Sequence, residues 1–177
     1  MDYIDKFYEL KSLYDTSLRE ISIPGSDVVI SNIEFTSETN PEGLINNEDL
    51  AISENNSFTY PVFIPPVRES NKVVLLLHGL NERSWIKYLA WAYYLSMNTG
   101  SYVILFPISF HINRSPSSWF DPRAMTGPVK DRISKWNDVQ MSSYANIALS
   151  SRLSQDPMRF FHSGYQTADD IIKLMPQ

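Results

Sequence analysis

The sequence predicts an α/β fold with a mostly parallel central sheet flanked by helices, on three observations. Val73, Val74, Leu75, Leu76 and Leu77 form an unbroken apolar run. A half-exposed strand alternates; an unbroken run fits a strand covered on both faces, as in a parallel sheet. That run stops at His78-Gly79-Leu80-Asn81, and Trp85, Tyr88, Leu89 and Ala92 then recur at helical spacing. A second apolar run, YVILF at 102–106, follows Gly100 and is ended by Pro107. Two strands joined through a helix make a βαβ unit, expected to be parallel and right-handed.

The remaining elements fall into place around that unit. Tyr3, Ile4, Phe7, Leu10, Lys11 and Tyr14 stand at three- and four-residue steps, which predicts an amphipathic helix within an N-terminal region 1–24. Pro24-Gly25 punctuates the chain, and Val28, Val29, Ile30, Ile33 and Phe35 read as a strand. Residues 37–57 are polar and rich in Asn and Glu, the composition of a surface loop. The run 58–64 reads as a strand with Pro61 inside it, which fits a sheet edge. The helix after the His-Gly turn is expected over about 84–97, with Asn81 or Ser84 as N-cap and Gly100 as its stop. Residues 108–138 mix Pro, Ser, Arg and Trp without steady periodicity, as in a cap-like loop that lines a site. Helices are expected over 139–154 and again from Asp156-Pro157 through Phe160, Phe161, Tyr165, Ile171, Ile172 and Leu174.

Composition bounds the function. The chain's 177 residues suit one domain spanning 1–177, and 43% hydrophobic with 20% charged content supports a core. Net charge of -5 with 15 Lys+Arg argues against a nucleic-acid groove or an anionic membrane surface as partner. There is no cysteine, hence no disulfide, thiolate metal site or cysteine nucleophile. Three scattered histidines lack metal-ligand spacing, and six dispersed glycines supply no phosphate loop. No metal or cofactor is therefore expected. The charged N-terminus is unlike a signal peptide, and no apolar run approaches the roughly 18 residues of a membrane span, so a cytoplasmic location is the expectation.

The strand, the His78-Gly79-Leu80-Asn81 turn and the helix that follows resemble the first half of the α/β-hydrolase fold. The stretch 106–125, with FHINRSP and a following Trp-Phe-Asp, is similar to uncharacterised bacterial hydrolase-like proteins. The resemblance implies an incomplete α/β-hydrolase fold and hydrolysis of an ester, amide or similar acyl bond. It implies that the Leu80 N–H donates to an oxyanion, with His78, Gly79 and Asn81 shaping the turn. Fixed N–H dipoles of that kind stabilise a tetrahedral intermediate by about 2.7–4 kcal/mol per donor. The departure is the nucleophile: such enzymes carry it in G-x-S-x-G, and no such motif exists here. His162-Ser163-Gly164-Tyr165 lacks the leading glycine. The expectation is a chain inactive alone, an N-terminal portion that meets a small-molecule substrate only when a C-terminal half completes it. The alternative is a non-catalytic binding module derived from the same fold, self-associating as a homo-oligomer through uncovered edges and apolar faces.

Each candidate residue has a bland reading beside the functional one. His78 either shapes the turn or satisfies backbone carbonyls, and Asn81 either steadies the turn or caps a helix. His111, Arg114 and Trp119 are the substrate-binding candidates, with Arg123 beside them. A guanidinium near an indole suits a carboxylate or a ring, while an ion-paired loop, with Asp121 or Asp138 as partner, explains the same residues. His162 lies among aromatic neighbours, where packing is the better account. Ser84, Ser109, Ser115 and Ser163 lack a nucleophile elbow.

Overall fold

In the computed structural model the described residues are 2–38, 47–67, 71–79, 82–135 and 157–174. The chain divides into two compact units, one comprising 1–36 with 58–107 and the other 37–57 with 108–177.

The first unit holds a five-stranded sheet of order β1-β2-β3-β5-β4, built from β1 (Glu20–Ser22), β2 (Val29–Thr36), β3 (Ser57–Ile64), β4 (Val73–Leu76) and β5 (Tyr102–Leu105). Among the described residues β1–β2 and β3–β5 pair antiparallel, and β4–β5 pairs parallel with Val74 opposite Val103. The expected mostly parallel sheet, and with it the incomplete α/β-hydrolase fold, is overturned: the sheet is mixed and mostly antiparallel. The physical reason lies in the connections. Between β4 and β5 runs the 14-residue helix α4 (Ile86–Thr99), a crossover long enough for a parallel pair. β1 and β2 are joined by a tight turn in which Ser26 N–H bonds the Ile23 carbonyl at 3.1 Å. Pro24 and Gly25 occupy its centre, Gly25 at φ 66. This is a type II arrangement, with proline at the second position and a positive φ at the third.

β4 is also not the doubly covered strand its sequence suggests. It forms one margin of the sheet, with Val73 52% and neighbouring Leu77 43% exposed. Pro61 lies in β3, which is an interior strand. The recorded β3–β5 ladder pairs Val62 with Ile104 and Phe63 with Val103, beyond the residue that lacks an N–H. The core centres on Phe106, which no solvent reaches. Around it the rings of Phe35, Phe58 and Tyr60 stand with centroids 5.3–5.6 Å away in edge-on geometry.

Helix α1 (Tyr3–Leu13) packs against α4 (Ile86–Thr99), and α4 against β5. Asp2 caps α1 by accepting the Tyr3 N–H. Neither candidate cap closes α4 at its start: the N-cap is Trp85, without a side-chain bond, Ser84 precedes it, and Asn81 lies outside the described residues. Its end is as expected. Gly100 adopts φ 63, ψ 22 and its N–H bonds the Ser96 carbonyl, the left-handed stop that glycine permits.

The second unit contains the short helices α2 (Asn47–Leu50) and α3 (Ser53–Asn56), 3-10 turns at Ile112–Arg114 and Ser117–Phe120, α5 (Thr126–Lys135) and α6 (Pro157–Leu174). The expected helix over 139–154 lies outside the described residues. Segment 37–57 is no mere surface loop, since Ser37, Asp49, Ile52 and Asn55 are buried. Among the described residues no helix is long and apolar enough to cross a membrane.

Candidate functional site

The His78-Gly79 turn lies in the first unit, at the carboxyl end of β4. His78 is buried, and its Nδ1 stands 2.9 Å from the Gly79 carbonyl. A carbonyl only accepts, so Nδ1 carries the proton in this bond. The Gly79 N–H donates to the Tyr88 hydroxyl at 2.7 Å, which ties the turn to the first helical turn of α4. Trp85 stacks edge-on against both rings, its centroid 5.5 Å from His78 and 5.8 Å from Tyr88. Glu82 and Lys87 form an ion pair beside them. The turn does not depend on glycine's backbone freedom. Gly79 is not among the positive-φ residues, and a Cβ there would make ordinary contacts, 3.5 Å to the Tyr88 hydroxyl and 3.6 Å to Glu82. Leu80 and Asn81, the expected oxyanion donor and its neighbour, lie outside the described residues.

The other candidates fall in the second unit. His111 and Arg114 share one buried turn, whereas Trp119 packs with Val129 on Met125. Arg114 and Asp170 are each 0% exposed, and Arg114 Nη2 meets Asp170 Oδ2 at 2.9 Å. Arg114 Nε donates to the Asn55 carbonyl at 3.1 Å. Burial pushes the Arg114 guanidinium down to about 10, and the Asp170 carboxylate opposes that shift. Among the described residues its ion-pair partner is thus Asp170; Asp121 bonds the Arg123 N–H, and Asp138 lies outside the described residues.

Sequence reasoning missed the polar hub to which this pair belongs. Asn55 donates to Gln166 Oε1 at 2.7 Å, and its Oδ1 accepts from the Ser109 hydroxyl at 2.8 Å and the Phe110 N–H at 3.0 Å. Gln166 Nε2 donates to the Ser37 hydroxyl, which donates in turn to Asp170 Oδ1 at 2.7 Å. The Ser109 N–H bonds the Thr167 hydroxyl, while the Ser109 carbonyl accepts from Ser163 and from His111 Nδ1, both at 2.9 Å. Buried polar groups are tolerated only when paired in this way. The signal was present in the sequence as the spacing of His162, Gln166 and Asp170, four residues apart on one face of α6. That face is the buried one. Phe161 and Ile172, on the face that reads as the natural core side, are 62% and 67% exposed.

The turn through 108–115 is strained as well as buried. Phe110 and Ile112 sit at φ 64 and φ 48, a region that bulky side chains avoid and that a β-branched one rarely enters. The bonds from the His111 N–H to the Ile108 carbonyl and from the Arg114 N–H to the His111 carbonyl close two successive tight turns around these residues. Among the described residues no cluster of three or more metal-ligating side chains is present.

Residues 38–177 match a family described as "Family of unknown function (DUF6051)". The chain belongs to the DUF6051 family. No curated protein and no solved structure matches it. The DUF6051 match takes in the His78-Gly79 turn and all of the polar hub except Ser37.

Proposed function

We propose that this DUF6051 protein contributes an oxyanion-binding turn to the hydrolysis of an ester, amide or similar acyl bond in a small molecule. One observation carries the reading: a His-Gly turn tied to the Tyr88 hydroxyl follows the carboxyl end of β4, which pairs in parallel with β5. In open α/β sheets, ligands meet the protein beyond the carboxyl ends of parallel strands. The Leu80 amide is the proposed donor. The nucleophile is sought elsewhere, because the Ser109 and Ser163 hydroxyls bond hub groups and the Ser109 carbonyl, not a histidine nitrogen. The native gene product is expected to turn over p-nitrophenyl esters of some acyl length and to be labelled covalently by a fluorophosphonate probe. Neither turnover nor labelling, across acetyl to octanoyl esters, overturns the proposal.

The second reading, a self-associating binding module, is favoured by the exposed apolar stripe of α6. Phe161, Tyr165 and Ile172 lie on one side of that helix and face solvent, a patch of the kind that marks an interaction surface. Sedimentation velocity at micromolar concentration should then show an assembly that Phe161→Glu converts to monomer. A wild-type monomer at every concentration contradicts this reading.

A further inference from the structure

His162 lies on the buried face of α6, 2% exposed, and neither ring nitrogen has a hydrogen-bond partner among the described residues. Its ring meets the edge of Phe110 with centroids 5.4 Å apart. Phe110 is one of the two left-handed residues of the strained turn. The charged groups that act on the imidazole come from two other elements: Asp49 of α2, buried, and Arg114 of the 3-10 turn, fully buried and paired with Asp170 of α6 itself. His111, in the same turn as Phe110, is bonded through Nδ1 to the Ser109 carbonyl.

We propose that His162 is an acid-sensitive latch: its uncharged ring adds to the bonds from Thr167, Ser163 and Asp170 that hold α6 on the 108–115 turn, and its protonation weakens that closure. A charged imidazolium in this position would be desolvated, a cost that the attraction of buried Asp49 offsets in part and the Arg114 cation increases. The strain at Phe110 and Ile112 favours release once the contact weakens. Desolvation sets the direction of the ionisation, holding His162 below the usual histidine value; Asp49 opposes the shift and Arg114 adds to it.

The sign follows from proton binding. The released form takes up a proton near pH 6.5, the ordinary histidine value, and the closed form only at lower pH. Closure is therefore complete in its effect above about pH 6.5 and is lost as pH falls through the lower closed-state value. One proton changes the opening equilibrium by up to about tenfold per pH unit.

Hydrogen exchange of α6 amides, corrected for intrinsic rates, tests this between pH 7.5 and 5, above the range where ordinary carboxylates titrate. The expected wild-type result is an opening constant that rises by up to about tenfold per unit below pH 6.5, with His162→Met flat over the same range. An equal slope in His162→Met overturns the latch. Should that variant fail to fold, NMR titration of the wild-type imidazoles decides. His162 is expected to protonate below pH 6.5 in step with the loss of α6 protection. Titration of His162 at or above 6.5, or with α6 protection unchanged, overturns it.

Discussion

Asp170→Asn is expected to destabilise the second unit by about 3–5 kcal/mol, the cost of leaving a buried cation without its counter-ion. Both partners are fully buried, and Asp170 holds two places at once, accepting from Arg114 at Oδ2 and from Ser37 at Oδ1. Asparagine keeps the shape and removes the charge, so the loss reports on the ion pair and not on packing. The double variant Arg114→Met, Asp170→Asn should recover a good part of that loss, because replacing both members of a buried pair removes the desolvated charge. Urea unfolding of the four proteins completes the cycle. A double variant no more stable than Asp170→Asn alone contradicts the assignment.

Phe106→Ala is expected to cost about 3–5 kcal/mol in the first unit, from lost burial and from the cavity left among Phe35, Phe58 and Tyr60. Phe106 is the residue on which three aromatic side chains from β2 and β3 converge. Phe106→Leu keeps most of the volume and should cost well under half as much. Thermal and urea unfolding measure both. A loss below about 1 kcal/mol for the alanine variant would place the centre of the core elsewhere.

The local grammar of the fold was legible in the sequence, and the long-range pairing was not. The β4–α4–β5 unit, the Gly100 stop, the N-terminal helix and the helix opening at Pro157 all rest on spacing, proline and glycine signals within a few residues. Strand neighbours are decided by contacts far apart in the chain. An apolar run such as 73–77 therefore reads as doubly buried although β4, among the described residues, has β5 as its one strand neighbour. The placement of β5 between an antiparallel β3 and a parallel β4 leaves no local trace. The candidate site divides the same way. The His78-Gly79 turn was visible as a motif, and its attachment to Tyr88 was not. In α6 the apolar residues Phe161, Tyr165 and Ile172 marked a helix, but they stand on its exposed side. The inner face is polar because Gln166, Asp170 and Thr167 find Asn55, Ser37, Arg114 and Ser109 as partners. A pattern of one helix cannot reveal partners that lie more than 50 residues away.

The most direct test of the proposed role of the turn is the rate of ester turnover by the native gene product carrying Tyr88→Phe beside its wild type. The variant loses only the hydroxyl that accepts the Gly79 N–H, which costs about 1 kcal/mol of stability. A turn that positions an oxyanion donor should then lose at least tenfold in kcat, and as much as about 10²–10³ if the donor is wholly misaligned, with KM little changed. Turnover by Tyr88→Phe equal to wild type would show that the His78-Gly79 turn takes no part in the chemistry.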